Sequence, residues 1–333
     1  MNHYEIKPYK FKISREIGNC HMNTLLQAKD IISLRDTTRE QIELIFETAD
    51  SYWPIISSRT KSNVLRDKIL ATLFFQPSTR TRLSFESAMQ RLGGSVIGFA
   101  SADVSRAGDA YGETLEDTAK MVEKYADIAV IRHHQAGAAL QFSQACKIPV
   151  VNAGDGDNEH PTQALLDLYT IRHERGKIDG STILMMGDLN FRAVHSLGFS
   201  LSKFNDVKLY LCSSEDQKLP TYYCQEFREL GLNFEVTEKM EDVIEELDMI
   251  YVLASTRDRS KLPTSYEYRL EPERLTKAKD DVIILHQLPR LDELPVTIDE
   301  MKQSKYLTIE PLCGVAVRMA VLSLLLNKVG GNL

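Results

Sequence analysis

Eight short apolar runs recur along the chain, at residues 69–75, 95–99, 128–132, 149–152, 182–186, 207–212, 249–254 and 282–286, and most do not alternate with polar residues. A strand with one face in water alternates with a period of two, whereas a continuously apolar strand must be covered on both faces, as in parallel sheets. Longer amphipathic stretches separate the runs, and parallel neighbours require crossovers of this kind. Residues 37–40, Thr-Thr-Arg-Glu, read as a capping box ahead of Ile42, Ile45, Phe46 and Ala49 at helical spacing. A second helix is expected from Thr162 to Arg175, with Gly176 as its stop. The last, over residues 315–326, is apolar nearly all round and belongs in a core. Runs before Asn152 and after Ser181 form two groups joined by the 162–175 helix, and 333 residues suit about two domains of ~150 each. The expected fold class is α/β: two domains, each a parallel sheet flanked by helices, with a cleft between them.

Composition narrows the partners. Forty Lys and Arg against 47 Asp and Glu give a net charge of −7 with no basic run, which argues against nucleic acid. The five cysteines, Cys20, Cys146, Cys212, Cys224 and Cys313, lie far apart without a CxxC pair. That pattern suits reduced thiols in the cytoplasm; neither a metal nor a cofactor is expected. Residues 1–13 lack the apolar centre of a secretory signal, and the apolar stretch 319–326 is far short of the ~18 residues of a membrane span. A soluble, cytoplasmic protein is expected.

In open parallel sheets, ligands sit beyond the carboxyl ends of the strands. The first run is followed by Gln76-Pro77-Ser78-Thr79-Arg80-Thr81-Arg82 and then a helical start, which concentrates hydroxyls, amides and guanidinium groups where a helix dipole favours anions. An ordinary Ser or Thr cap with two solvated arginines fits the same residues. Another run opens into Asn152-Ala-Gly-Asp-Gly-Asp-Asn-Glu-His160-Pro-Thr-Gln163, a Gly-rich loop that puts His160 and Gln163 three residues apart at a helix start. A lone histidine is usually just a hydrogen-bonded side chain; one beside such a loop at a strand end has better odds of a role.

Residues 74–86, Phe-Phe-Gln-Pro-Ser-Thr-Arg-Thr-Arg-Leu-Ser-Phe-Glu, closely resemble the carbamoyl-phosphate signature of the aspartate/ornithine carbamoyltransferase family. Arg132-His133-x-Gln135, the 152–163 segment and His286-Gln-Leu-Pro-Arg290 continue the match in the same order. The resemblance implies that residues 1–161 with 310–333 bind carbamoyl phosphate, that 162–309 bind an amino acid, and that the last helix packs back on the first domain. It implies a phosphate cradle of Ser78, Thr79, Arg80 and Thr81, with Thr81, Arg132 and His160 polarising the carbamoyl oxygen. Gln163 and the Leu288 carbonyl, aimed by a cis bond to Pro289, would hold the carbamoyl NH₂. No covalent nucleophile is needed, because an acceptor amine attacks directly.

For the acceptor, the resemblance points to L-aspartate, whose carboxylates would meet Arg192, after Gly187-Asp188-Leu189, and Arg257. The 187–189 segment lacks GxGxxG, so no dinucleotide is expected. Ornithine is disfavoured, since Gln287 stands where that branch has cysteine and no Ser-Met-Gly occurs. Three departures touch the acceptor half: Tyr111 in place of a loop lysine, Gln287 in place of proline and Arg259 in place of glutamine. Arg259 would then join the acceptor site, with Ser105, Arg106 and Tyr111 supplied by a neighbouring subunit of a homotrimer. The alternatives are a carbamoyltransferase for another amino acid and a non-catalytic relative. A regulatory subunit or an assembly larger than the trimer is left open by the sequence.

Overall fold

The computed structural model describes Leu26 and residues 29–104, 112–254 and 264–328. The first unit runs α1 (Arg39–Ser57), β1 (Ile69–Phe74), α2 (Arg80–Arg91), β2 (Ser95–Phe99), α3 (Leu115–Val122), β3 (Ile128–His133), α4 (Ala138–Ala145), β4 (Val150–Asp155) and α5 (Pro161–Arg175). The second runs β5 (Thr182–Met186), α6 (Arg192–Leu201), β6 (Lys208–Cys212), α7 (Thr221–Glu229), β7 (Asn233–Val236), β8 (Met249–Val252) and β9 (Ile283–His286), and α8 (Glu310–Leu325) closes the chain. The strands form two wholly parallel sheets, ordered β2-β1-β3-β4 and β7-β6-β5-β8-β9.

Both faces of the central strands are buried, as their apolar runs require. In β5, Ile183 and Met185 enter one core while Leu184 and Met186 enter another. Leu70 and Phe74 of β1 likewise face away from Ala71 and Leu73. The larger core is continuous from β1 and β3 through α5 and α8 to β5 and β6, so the two sheets share one apolar centre. Helix α8 packs against α1, α2 and α5, returning the chain end to the first unit. Among the described residues no helix is long and apolar enough to cross a membrane.

The sequence expectations need four corrections. β7 escaped notice because it is a polar edge strand, with Val236 65% exposed, and lacks the apolar run of an interior strand. The last helix starts at Glu310, five residues before the expected 315, because Pro311 sits in its first turn, where proline costs no hydrogen bond. The capping box belongs to Thr38 and Gln41, one residue later than read: Thr38 Oγ1 accepts from the Gln41 amide and Gln41 Oε1 from that of Thr38. The expected strand 249–254 ends at Val252; Leu253 is buried in the core and Ala254 lines the cleft. Gly176 does end α5, at φ +79°, a left-handed conformation that glycine adopts freely.

Candidate active site

The carboxyl ends of both sheets open onto one cavity of about 520 Å³. Its wall takes Ser78, Thr79, Arg80 and Thr81 from the start of α2, Arg132 from β3, His160 and Gln163 from the start of α5, Arg192 from the start of α6, and Leu288 and Pro289 from the loop after β9. These residues, far apart in sequence, thus lie together. Arg257, Arg259, Ser105, Arg106 and Tyr111 lie outside the described residues.

The cradle has a definite form. Thr79 opens α2 without a side-chain cap hydrogen bond. Arg80 reaches the cavity, while Arg82 is held by Glu86 at 2.7 Å, so the two arginines of the motif differ in kind. Thr81 Oγ1 lies 3.3 Å from His160 Nε2. His160 is 5% exposed, and burial together with Arg192, Arg132 and Arg318 holds its imidazole well below the usual range, hence neutral. Its backbone N–H donates to Ser196 Oγ at 2.9 Å, and Ser196 Oγ donates to Glu159 Oε2 at 3.0 Å. Glu159 is fully buried and also accepts from Arg35 at 2.8 Å and from the Leu34 amide at 3.0 Å. A single carboxylate therefore ties the N-terminal segment, the Gly-rich loop and α6 behind the histidine; burial pushes its pKa up.

The Gly-rich loop positions the arginines. Arg192 Nη1 donates to the Gly156 carbonyl at 2.8 Å and Nη2 to Gln76 Oε1 at 3.2 Å. A Cβ on Gly154, whose φ is +109°, would stand 2.8 Å from Arg192 Cζ, so glycine is required by the close approach of the guanidinium as well as by the backbone. Asn152 stiffens the turn, accepting from the Gly154 amide at 2.8 Å and donating to Asp155 at 2.8 Å. Gln163 Nε2 donates to Asp167 at 2.9 Å, and the Leu288–Pro289 bond is cis, as expected. The Leu288 amide donates to His286 Nδ1 at 2.8 Å, while His286 Nε2 donates to buried Glu293 at 2.8 Å, which fixes the ring tautomer and the loop with it.

Sequence reasoning passed over several members of the site. Gln76 stood inside the motif without a role, and its contact with Arg192 crosses 116 positions. Phe191, Ala254 and Leu291 also line the cavity, and Gln287 does so at a position noted only as a departure. No local signal marked Ser196, Glu159 or Glu293, because each acts through a fold-level contact.

What this arrangement can do is bind a compact anion between helix N-termini and arginines, polarise an adjacent carbonyl and admit a second ligand from the Arg192 side. Residues 29–173 match the family model described as aspartate/ornithine carbamoyltransferase, carbamoyl-P binding domain, and residues 179–325 match its Asp/Orn binding domain. The chain is 46% identical over 312 residues to the aspartate carbamoyltransferase catalytic subunit of Thermococcus kodakarensis, covering 91% of this chain and 99% of that one. It is 42% identical over 306 residues to the Methanopyrus kandleri catalytic subunit, covering 90% and 97%. Among solved structures, aspartate transcarbamoylase from Trypanosoma cruzi in complex with carbamoyl phosphate and aspartate superposes with a TM-score of 0.83 at 33% identity, over 90% of this chain and 96% of that one.

Proposed function

We infer that this chain, which belongs to the aspartate/ornithine carbamoyltransferase family, transfers the carbamoyl group of carbamoyl phosphate to the α-amine of L-aspartate. The product is N-carbamoyl-L-aspartate, which puts the enzyme in pyrimidine synthesis. The observation that carries the reading is the convergence of Ser78–Thr81, Arg132, His160, Gln163 and Leu288 on one cavity, with Arg192 beside them.

Arg80 and the start of α2 hold the phosphate, and Thr81, Arg132 and neutral His160 donate toward the carbamoyl oxygen as charge grows there. The amine nitrogen attacks the carbamoyl carbon, the carbon–oxygen bond to phosphate breaks, and phosphate leaves with the proton the nitrogen gives up. Holding both reactants in line supplies most of the acceleration. Residues 1–161 with 310–333 form the carbamoyl-phosphate half and 162–309 the acceptor half, where Arg192, Arg257 and Arg259 meet the two carboxylates.

The reading includes a cytoplasmic homotrimer in which Ser105, Arg106 and Tyr111 complete a neighbour's site. Supporting it, β2 is an edge strand with Ile97 42% exposed, and the chain leaves it through Val104, 74% exposed, a surface suited to a second copy. Phosphate release from carbamoyl phosphate with aspartate, asparagine, 2,3-diaminopropionate and ornithine tests the acceptor. Preference for a neutral or basic amine would replace aspartate and leave the carbamoyl-phosphate half intact. Mixing Arg80→Ala chains with a Ser105/Arg106 double mutant tests sharing: hybrid sites should regain activity, and none in mixtures that exchange subunits would refute it.

A further inference from the structure

The loop after β9 holds a buried imidazole–carboxyl pair to which the transfer chemistry assigns no part. His286 ends β9, Glu293 stands seven positions on, and neither side chain is exposed. Between them the chain passes through Gln287, Leu288, Pro289 and Leu291, all of which line the cavity. Leu288 has a φ of +52°, a left-handed conformation that a leucine keeps only where its surroundings impose it.

Hydrogen bonds from the pair impose it. The Leu288 amide donates to His286 Nδ1 at 2.8 Å, and His286 Nε2 donates to Glu293 Oε1 at 2.8 Å. The Leu291 amide divides between the two Glu293 oxygens at 3.0 and 3.1 Å. Each contact depends on the next. A ring nitrogen that accepts carries no proton, so the Leu288 contact needs the imidazole proton on Nε2. A carboxylate only accepts, so Glu293 selects that tautomer. An amide in its place could donate to Nε2, send the ring proton to Nδ1 and set two N–H groups against each other at Leu288.

We propose that Glu293 is a positioning residue for carbamoyl recognition: through the His286 tautomer it holds the Leu288 carbonyl where the ligand's NH₂ must bind. The phosphate contacts come from the start of α2, on the other sheet, and not from this loop. Glu293 therefore lets the site tell a carbamoyl phosphate from a bare phosphoryl group. This deepens the carbamoyl-transfer reading and rests on it.

The probes are phosphonoacetamide, which joins a phosphonate to an amide NH₂ without a labile ester, and methylphosphonate, which lacks the amide. Calorimetry on the assembled protein at one pH should show tighter binding of phosphonoacetamide by the wild type. Glu293→Gln should lose roughly tenfold or more of that affinity, the size of one buried hydrogen bond, while methylphosphonate binding changes by less than about twofold. In turnover, the KM for carbamoyl phosphate should rise and that for the acceptor should not. Nitrogen shifts of labelled imidazole, assigned with His286→Asn, should place the His286 proton on Nε2 in the wild type and on Nδ1 in Glu293→Gln. Asn at 286 offers Oδ1 to the Leu288 amide whatever stands at 293, so adding His286→Asn to Glu293→Gln should restore the preference for the amide. Equal loss of both probes, full retention of both, or no recovery in the double variant overturns the proposal. Should Glu293→Gln fail to fold, a wild-type His286 proton on Nδ1 does so. A wild type that binds phosphonoacetamide no better than methylphosphonate defeats the carbamoyl-phosphate reading and the proposal with it, whereas a preference kept by Glu293→Gln defeats the proposal alone.

Discussion

Thr81 and His160 meet at 3.3 Å, the one in the first turn of α2 and the other capping α5, so two helix N-termini converge on one point of the cavity. Each end contributes partial positive charge from its unpaired amides. With Arg80, Arg132 and Arg192 on the same wall, the site is built for negative charge before any ligand arrives.

Arg80→Ala should lower kcat/KM for carbamoyl phosphate by roughly 10²–10⁴-fold, since a charge-assisted partner of the phosphate is lost. Steady-state kinetics with matched circular dichroism measures it. Near-normal turnover in a folded variant would rule out the cradle.

Neutral His160 should show no titration near pH 6.5, because charging it would oppose three guanidinium groups and burial. Nitrogen chemical shifts of labelled imidazole, assigned with His160→Asn, read this directly. A midpoint in the ordinary histidine range would contradict the neutral role.

Gly154→Ala should displace Arg192, raising the acceptor KM by roughly tenfold or more while phosphate affinity changes by less than about threefold. Equal loss of both would mean that the Gly-rich loop, not Arg192 alone, has moved.

His195 is stacked on Tyr223 at 3.7 Å with Nδ1 donating to the Asn158 carbonyl, and burial pushes its pKa down to about 4. The unfolded chain therefore binds a proton there that the folded one refuses, so stability present above about pH 6.5 is lost as pH falls toward 4, up to about 3 kcal/mol. His195→Asn should flatten that part of the difference in unfolding free energy between variant and wild type. Denaturant unfolding at stepped pH measures it, and an unchanged slope would exclude His195 as the source.

Fold class and the first half of the site were legible for a common reason. Strands buried on both faces are mostly apolar, as Leu70, Ala71 and Leu73 are around the one polar Thr72, and that run is visible without neighbours. The cavity wall at the start of α2 was equally visible because Ser78, Thr79, Arg80 and Thr81 are consecutive, and one helix start positions them together. A polar edge strand such as β7 carries no such run, and its place is decided by pairing with β6.

Everything that depends on distant segments meeting belongs to the tertiary structure. Ser196 and Glu159 behind His160, Gln76 against Arg192, and Glu293 behind His286 are ordinary polar residues in sequence, and only folding removes their water and gives them partners. Glu310 is the clearest case. In the sequence it is an acidic residue before a proline, outside the helix expected from 315. In the fold, α8 packs onto α2 and α5 and carries it into the interior, where it is 5% exposed. The sequence by itself determined which segments become buried strands and which loop cradles an anion, because apolar continuity and neighbouring residues decide both. Only the tertiary structure decided which carboxyl groups lose their water, because desolvation is a property of the packed whole and not of any single segment.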